Sequence, residues 1–145
     1  MDESSKYETD FYGWAIQQAE LLRTRRLNEA DLDNIAEEIE SMGRSEKREL
    51  VNRLAVLLAH LLKWQFQPGL HSTSWRLTLV EQRDRLAEHL RDNPSLKPMV
   101  PDIVRTAYRY ARLAAQRETG LADSVFPATC PYSFDQVTDE QFWPS

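Results

Sequence analysis

Between Leu50 and Trp64 the apolar residues fall at helical spacing twice over. Leu50, Leu54, Leu57, Leu61 and Trp64 make one seam, and Val51, Leu58 and Leu62 make a second beside it. So broad an apolar arc belongs to a central helix that touches several neighbours. No run elsewhere alternates apolar and polar residues long enough to read as a strand, so the fold class predicted is all-α. Glycine is scarce, at four residues, and most prolines stand where helices should begin or end.

The same period places the remaining elements. A first helix is predicted from about Thr9 or Asp10 to Arg25, with Phe11, Trp14, Ala15, Leu21 and Leu22 inward. "LNEADL" restarts the chain, with Asn28 as cap and Asp31 three residues on. Leu32, Ile35, Ile39 and Met42 then form one stripe. Gly43 reads as a break or as a mid-helix glycine costing about 1 kcal/mol. "QPGLHSTS" ends the central helix, and "SWRLTLVEQRDRLAEHLRD" is the third, closed at Asn93–Pro94. The fourth begins near Pro98 or Pro101 and stops at "ETGL", where Gly120 suits a left-handed cap.

Residues 121–145 read as a proline-rich tail with a turn of helix near Ser133–Val137. Phe126, Tyr132, Phe134, Phe142 and Trp143 make it too aromatic to hang free, so it is expected to lie on the helices. About eight residues at the start are expected to be flexible. Short links favour antiparallel neighbours, hence a four- to five-helix antiparallel bundle forming one domain over 1–145.

The formal net charge of −5 and pI of 5.2 argue against a general nucleic-acid surface. Cys130 is the single cysteine, which suits a reducing cytoplasm. The acidic start "MDESSKYETD" is unlike a secretory or transit peptide. "LAVLLAHLLKW" falls short of the roughly 18 apolar residues of a membrane span and carries His60 and Lys63.

Several polar residues interrupt the apolar stripes. Gln18 lies between Trp14 and Leu22, Gln65 within the central arc, and Gln82 on the Trp75–Leu79–Leu86–Leu90 line. Tyr110 and Glu118 share the Ile103–Ala107–Ala114 line, while Glu38, Arg53 and His60 edge their stripes. A buried polar group costs roughly 1–3 kcal/mol unless hydrogen-bonded, so these groups are expected to meet one another. Two readings follow: a structural network that fixes helix register, or a ligand pocket lined by Glu38, Arg53, His60, Gln65 and Gln82. Trp64 and Trp75 bracket "QPGLHSTS", and their stacking is expected to clamp that corner, with His71 facing water and His60 aimed at the interior edge.

Motifs narrow the chemistry mainly by exclusion. "EEIE" (Glu37 to Glu40) with His60 lacks the paired Glu-x-x-His of di-iron bundles, so no metal site is expected, and no motif calls for a cofactor. Ser72 and Ser74 read as helix caps, and Arg44, Lys47 and Arg48 as a solvated face. Arg53 and His60 form an Arg-x6-His spacing that resembles the motif of the HEPN-type ribonucleases, although Leu54 follows the arginine where that family usually has a polar residue. That resemblance, which covers these two residues only, implies metal-independent RNA cleavage, and Glu38 is a further candidate for such a site.

"YETDFYGWAIQQAELLR", "NIAEEIESMGRSEKREL", "HLLKWQFQP", "SWR", "EQR", "ETGL" and "FPATCPYSFDQV" together resemble domain of unknown function 29, a bacterial helical family. The resemblance implies an all-helical bundle and brings no catalytic residue with it. The function expected is a non-enzymatic bundle for binding a protein partner or for self-association. The alternatives are a metal-independent ribonuclease-like enzyme using Arg53 and His60, or a small-molecule-binding bundle whose polar pocket includes Gln65, Gln82, Trp64 and Trp75.

Overall fold

The computed structural model describes residues 3–145. Among them are six α-helices and no strand: α1 (Glu3–Thr9), α2 (Phe11–Arg23), α3 (Leu32–Phe66), α4 (Thr73–Asp92), α5 (Val100–Thr119) and α6 (Phe134–Thr138). The class is all-α. Of the start expected to be flexible, residues 1–2 lie outside the described residues, while Glu3–Thr9 is helical. The described residues group into two compact units, one up to Ser45 and one from Glu46 onward.

The first unit is built around Trp14. Asp10 caps α2 by accepting the Gly13 N–H at 3.0 Å, which aims Trp14, Gln18 and Leu21 inward. The Tyr7 ring meets Trp14 edge-on at 4.6 Å, and Phe11 packs against it at 5.5 Å. Asn28 is not the cap expected of it; it sits inside a 3-10 turn over Leu27–Glu29. Asp31 precedes α3 instead. Its carbonyl accepts the Ile35 N–H at 3.0 Å, and its carboxylate takes Asn34 at 2.8 Å and the Trp14 indole N–H at 3.0 Å. One residue thus starts α3 and ties it to α2. Gly43 does not break α3, which runs through it.

The second unit is a packed core. Leu50, Leu54, Leu57, Leu58, Leu61 and Leu62 are fully buried on α3, as the two seams demand. α4 runs antiparallel to this part of α3: His89 lies beside Glu46 at one end and Trp75 beside Lys63 at the other. Ser72 caps α4 and Gly120 ends α5 in the left-handed region, both as read from sequence. α5 buries Ile103, Ala107, Ala111 and Ala115 on one face, small residues that let helices approach closely.

The tail returns across the ends of these helices. Phe126 meets Phe66 edge-on at 5.5 Å, and Trp143 meets Trp64 at 4.7 Å. Phe126, Tyr132 and Val137 are buried in the core. A capping box at Ser133 and Gln136 makes α6 despite its five residues.

Candidate functional site

Of the polar residues singled out from the sequence, Gln18, Glu38, Gln65 and Glu118 each bond a neighbouring segment within their own unit. In the first unit, buried Gln18 accepts the Asp31 backbone N–H at 2.7 Å. Glu38 accepts the Tyr7 hydroxyl, and this hydrogen bond, ahead of desolvation, pushes the Tyr7 phenol up to about 12. In the second unit, Gln65 accepts the Tyr132 hydroxyl at 2.7 Å, while Gln82 is half-buried on α4. Tyr110 is half-exposed, and Glu118 takes the Lys63 ammonium at 3.1 Å. The physical reason is packing: leucines fill the helix seams, so polar groups at the edges bond whatever segment passes beside them.

Arg53 and His60 separate in the same way. Arg53 pairs with Glu49 at 2.7 Å and lines a cleft of about 210 Å³ with Arg85, Glu88, His89 and Asp92. His60 is not among the lining residues; its Nδ1 lies 2.9 Å from the Val56 carbonyl, one turn back on its own helix. Two helical turns are roughly 10 Å, so a shared helix face does not put both side chains into one small cleft. The histidine beside Arg53 is His89 of α4, whose Nε2 lies 2.9 Å from the Glu46 carbonyl and 3.6 Å from its carboxylate. Among the described residues no group of three or more His, Cys, Asp or Glu side chains is placed to hold a metal ion.

At the corner, Trp64 and Trp75 bracket the turn without stacking on each other. Trp64 stacks on His71 instead, at 3.6 Å and 17°, and His71 Nε2 lies 2.7 Å from the Trp64 carbonyl. Trp75 receives the Lys63 ammonium at 4.8 Å. His71 is therefore part of the clamp and also an exposed loop residue, as read from the sequence.

Arg83 was missed. It stands one residue past Gln82, at i+4 from Leu79 and i−3 from Leu86, and it is buried. Its Nε donates to the Val137 carbonyl at 2.9 Å and its Nη2 to the Phe142 carbonyl at 2.8 Å. Burial pushes this guanidinium down, with Asp139 and Glu140 acting in the opposite sense. The Leu79–Leu86 spacing carried the signal.

The first unit also leaves large apolar side chains bare. On α3, Leu32 is 51%, Ile39 58% and Met42 62% exposed, with Ile35 half-buried beside them. Tyr12 and Ile16, one turn apart on α2, are also exposed. The stripe has the spacing of the buried Leu50–Leu61 seam and no cover of its kind.

The family model described as Domain of unknown function DUF29 matches residues 6–143. The chain belongs to that family. No curated protein and no solved structure matches it. The DUF29 match takes in the Tyr7–Glu38 pair, the bare stripe of α3, the Arg53–His89 cleft and Arg83 with its tail partners. Among the described residues no DUF29 helix is long and apolar enough to cross a membrane.

Proposed function

We propose that this DUF29 chain is a non-enzymatic, self-associating helical module in which two copies pair antiparallel along residues 32–42 of α3. The observation that carries the reading is the exposure of Leu32, Ile39 and Met42 beside half-buried Ile35. Their intervals are three, four and three, which read the same in both directions. A two-fold-related copy therefore sets Leu32 opposite Met42 and Ile35 opposite Ile39, the self-complementarity that an isologous interface requires. Charge supports the same direction. Asp31 and Asp33 flank one end of the stripe and Arg44 follows the other, so in antiparallel copies Arg44 falls beside Asp31 of the partner subunit.

Contiguous apolar surface rimmed by polar groups is a common mark of an association site. The net charge of −5 weighs against nucleic acid as the partner, and the single half-buried thiol of Cys130 suits the cytoplasm. Light scattering across a concentration series tests the reading. The wild type is expected to approach twice the 16.9 kDa chain mass, and Ile39→Glu to remain at one chain mass with an unchanged helical spectrum. A wild type that stays monomeric at millimolar concentration overturns the reading.

A further inference from the structure

One cleft of the second unit involves none of the residues read as candidates above. It holds about 470 Å³ between α5 and the loop at Thr129 and Cys130, a volume in the range of small-molecule sites. Arg105, Arg109 and Arg112 line it, spaced four and three apart so that they stand in one row on α5. Tyr108, Leu113 and Ala128 give it an apolar wall. Cations one turn apart repel, so such a row needs compensation.

Two of the three arginines have it. Arg105 pairs with the Asp102 carboxylate. Arg112 holds the loop, donating to the Asp123 carboxylate at 3.2 Å, its carbonyl at 2.9 Å and the Phe126 carbonyl at 3.1 Å. Arg112 Nε is nonetheless buried with no hydrogen-bond partner. Arg109 lies over the Tyr110 ring at 5.4 Å and has no ion pair among the described residues. With Asp102 and Asp123 both counted, the row keeps one guanidinium in excess, that of Arg109, in a chain whose net charge is −5.

We propose that this cleft binds a small organic oxyanion, its apolar body against Tyr108 and Leu113 and its carboxylate or phosphate taken by Arg109 with Arg105. A guanidinium presents paired N–H donors that match two oxygens of either group. Burial pushes the Tyr108 phenol up to about 12 and the Cys130 thiol up as well, so neither adds negative charge to the wall at neutral pH. The site does not depend on the pairing of α3, because every lining residue belongs to the second unit.

Isothermal titration of the full chain with 1-naphthyl phosphate, 1-naphthol and inorganic phosphate tests the proposal, with 1-naphthoate as the carboxylate arm. The phosphate ester or the carboxylate is expected to bind at least about tenfold more tightly than naphthol or inorganic phosphate alone. Arg109→Ala is expected to weaken that binding about tenfold or more at unchanged melting temperature, with Arg109→Lys restoring part of it. Ile39→Glu is expected to leave it unaltered, which separates this site from self-association. Naphthol binding as tightly as the anions, neither anion binding at millimolar concentration, or an Arg109→Ala chain that binds like wild type would each overturn the proposal.

Discussion

Arg83 shows what a single buried charge does in this chain. Its guanidinium serves the carbonyls of Val137 and Phe142 and lies over the Trp143 ring at 5.6 Å, so one side chain fastens the tail to α4. Arg83→Leu leaves those carbonyls without their donor and is expected to cost about 3 kcal/mol. Urea unfolding at constant m-value checks this; a loss below about 1 kcal/mol would mean the tail is held by its aromatic contacts instead. Tyr108 makes a pH prediction. Its hydroxyl donates to the Pro127 carbonyl at 2.5 Å, and burial raises it from 10.0 to about 12. The folded value lies above the unfolded one, so this contribution is fully present below pH 10 and is lost as pH rises to about 12. Tyr108→Phe is therefore expected to flatten, in part, the fall of stability across that window, as measured by chemical denaturation at stepped pH. At this scale the sequence told that polar groups enter the seams but not which partner each would find. Glu38 meets Tyr7 and Gln65 meets Tyr132, pairs 31 and 67 residues apart that no local spacing reveals. The Gln82 reading failed by one position, because a long arginine next door could bury its stem and still reach the tail carbonyls.

The helices themselves were largely legible. Ser72, the Asn93–Pro94 pair and Gly120 fixed the limits of α4 and α5, because each residue type answers a specific unsatisfied backbone group. α1 was not legible: "ESSKYET" has no apolar period, and it is anchored by Tyr7, through Trp14 and Glu38, and by Lys6, which donates to Gln17 at 3.2 Å. Asn28 was mistaken for the cap of α3 because Asn and Asp are equally good caps. Asp31 prevails because it also receives the Trp14 indole N–H. Glycines at the element scale yield a paired test. Gly43 is exposed within α3, and a Cβ there would meet nothing within 4 Å, so Gly43→Ala is expected to stabilise by about 1 kcal/mol. Gly120 has a φ of 72°, so Gly120→Ala, though equally unobstructed, is expected to destabilise by about 1 kcal/mol. Thermal melts of the two variants should move in opposite directions; shifts of the same sign would contradict the account of how α3 continues and α5 stops.

For the whole molecule, periodicity announces an apolar stripe and is silent about what covers it. Leu50 to Leu61 and Leu32 to Met42 carry the same spacing on one helix, yet the first set is buried and the second is largely exposed. That difference is invisible in the residues themselves, because an uncovered face and a covered one obey the same period. It is also what turns a fold into a proposed function, since a protein that leaves Ile39 and Met42 bare gains by burying them against another surface. The most direct measurement uses an equimolar mixture of Leu32→Cys and Met42→Cys chains, each also carrying Cys130→Ser, oxidised and read by intact mass. Antiparallel pairing predicts a covalent dimer made of one chain of each kind. Dimers of like chains alone, or no covalent dimer at all, would contradict it.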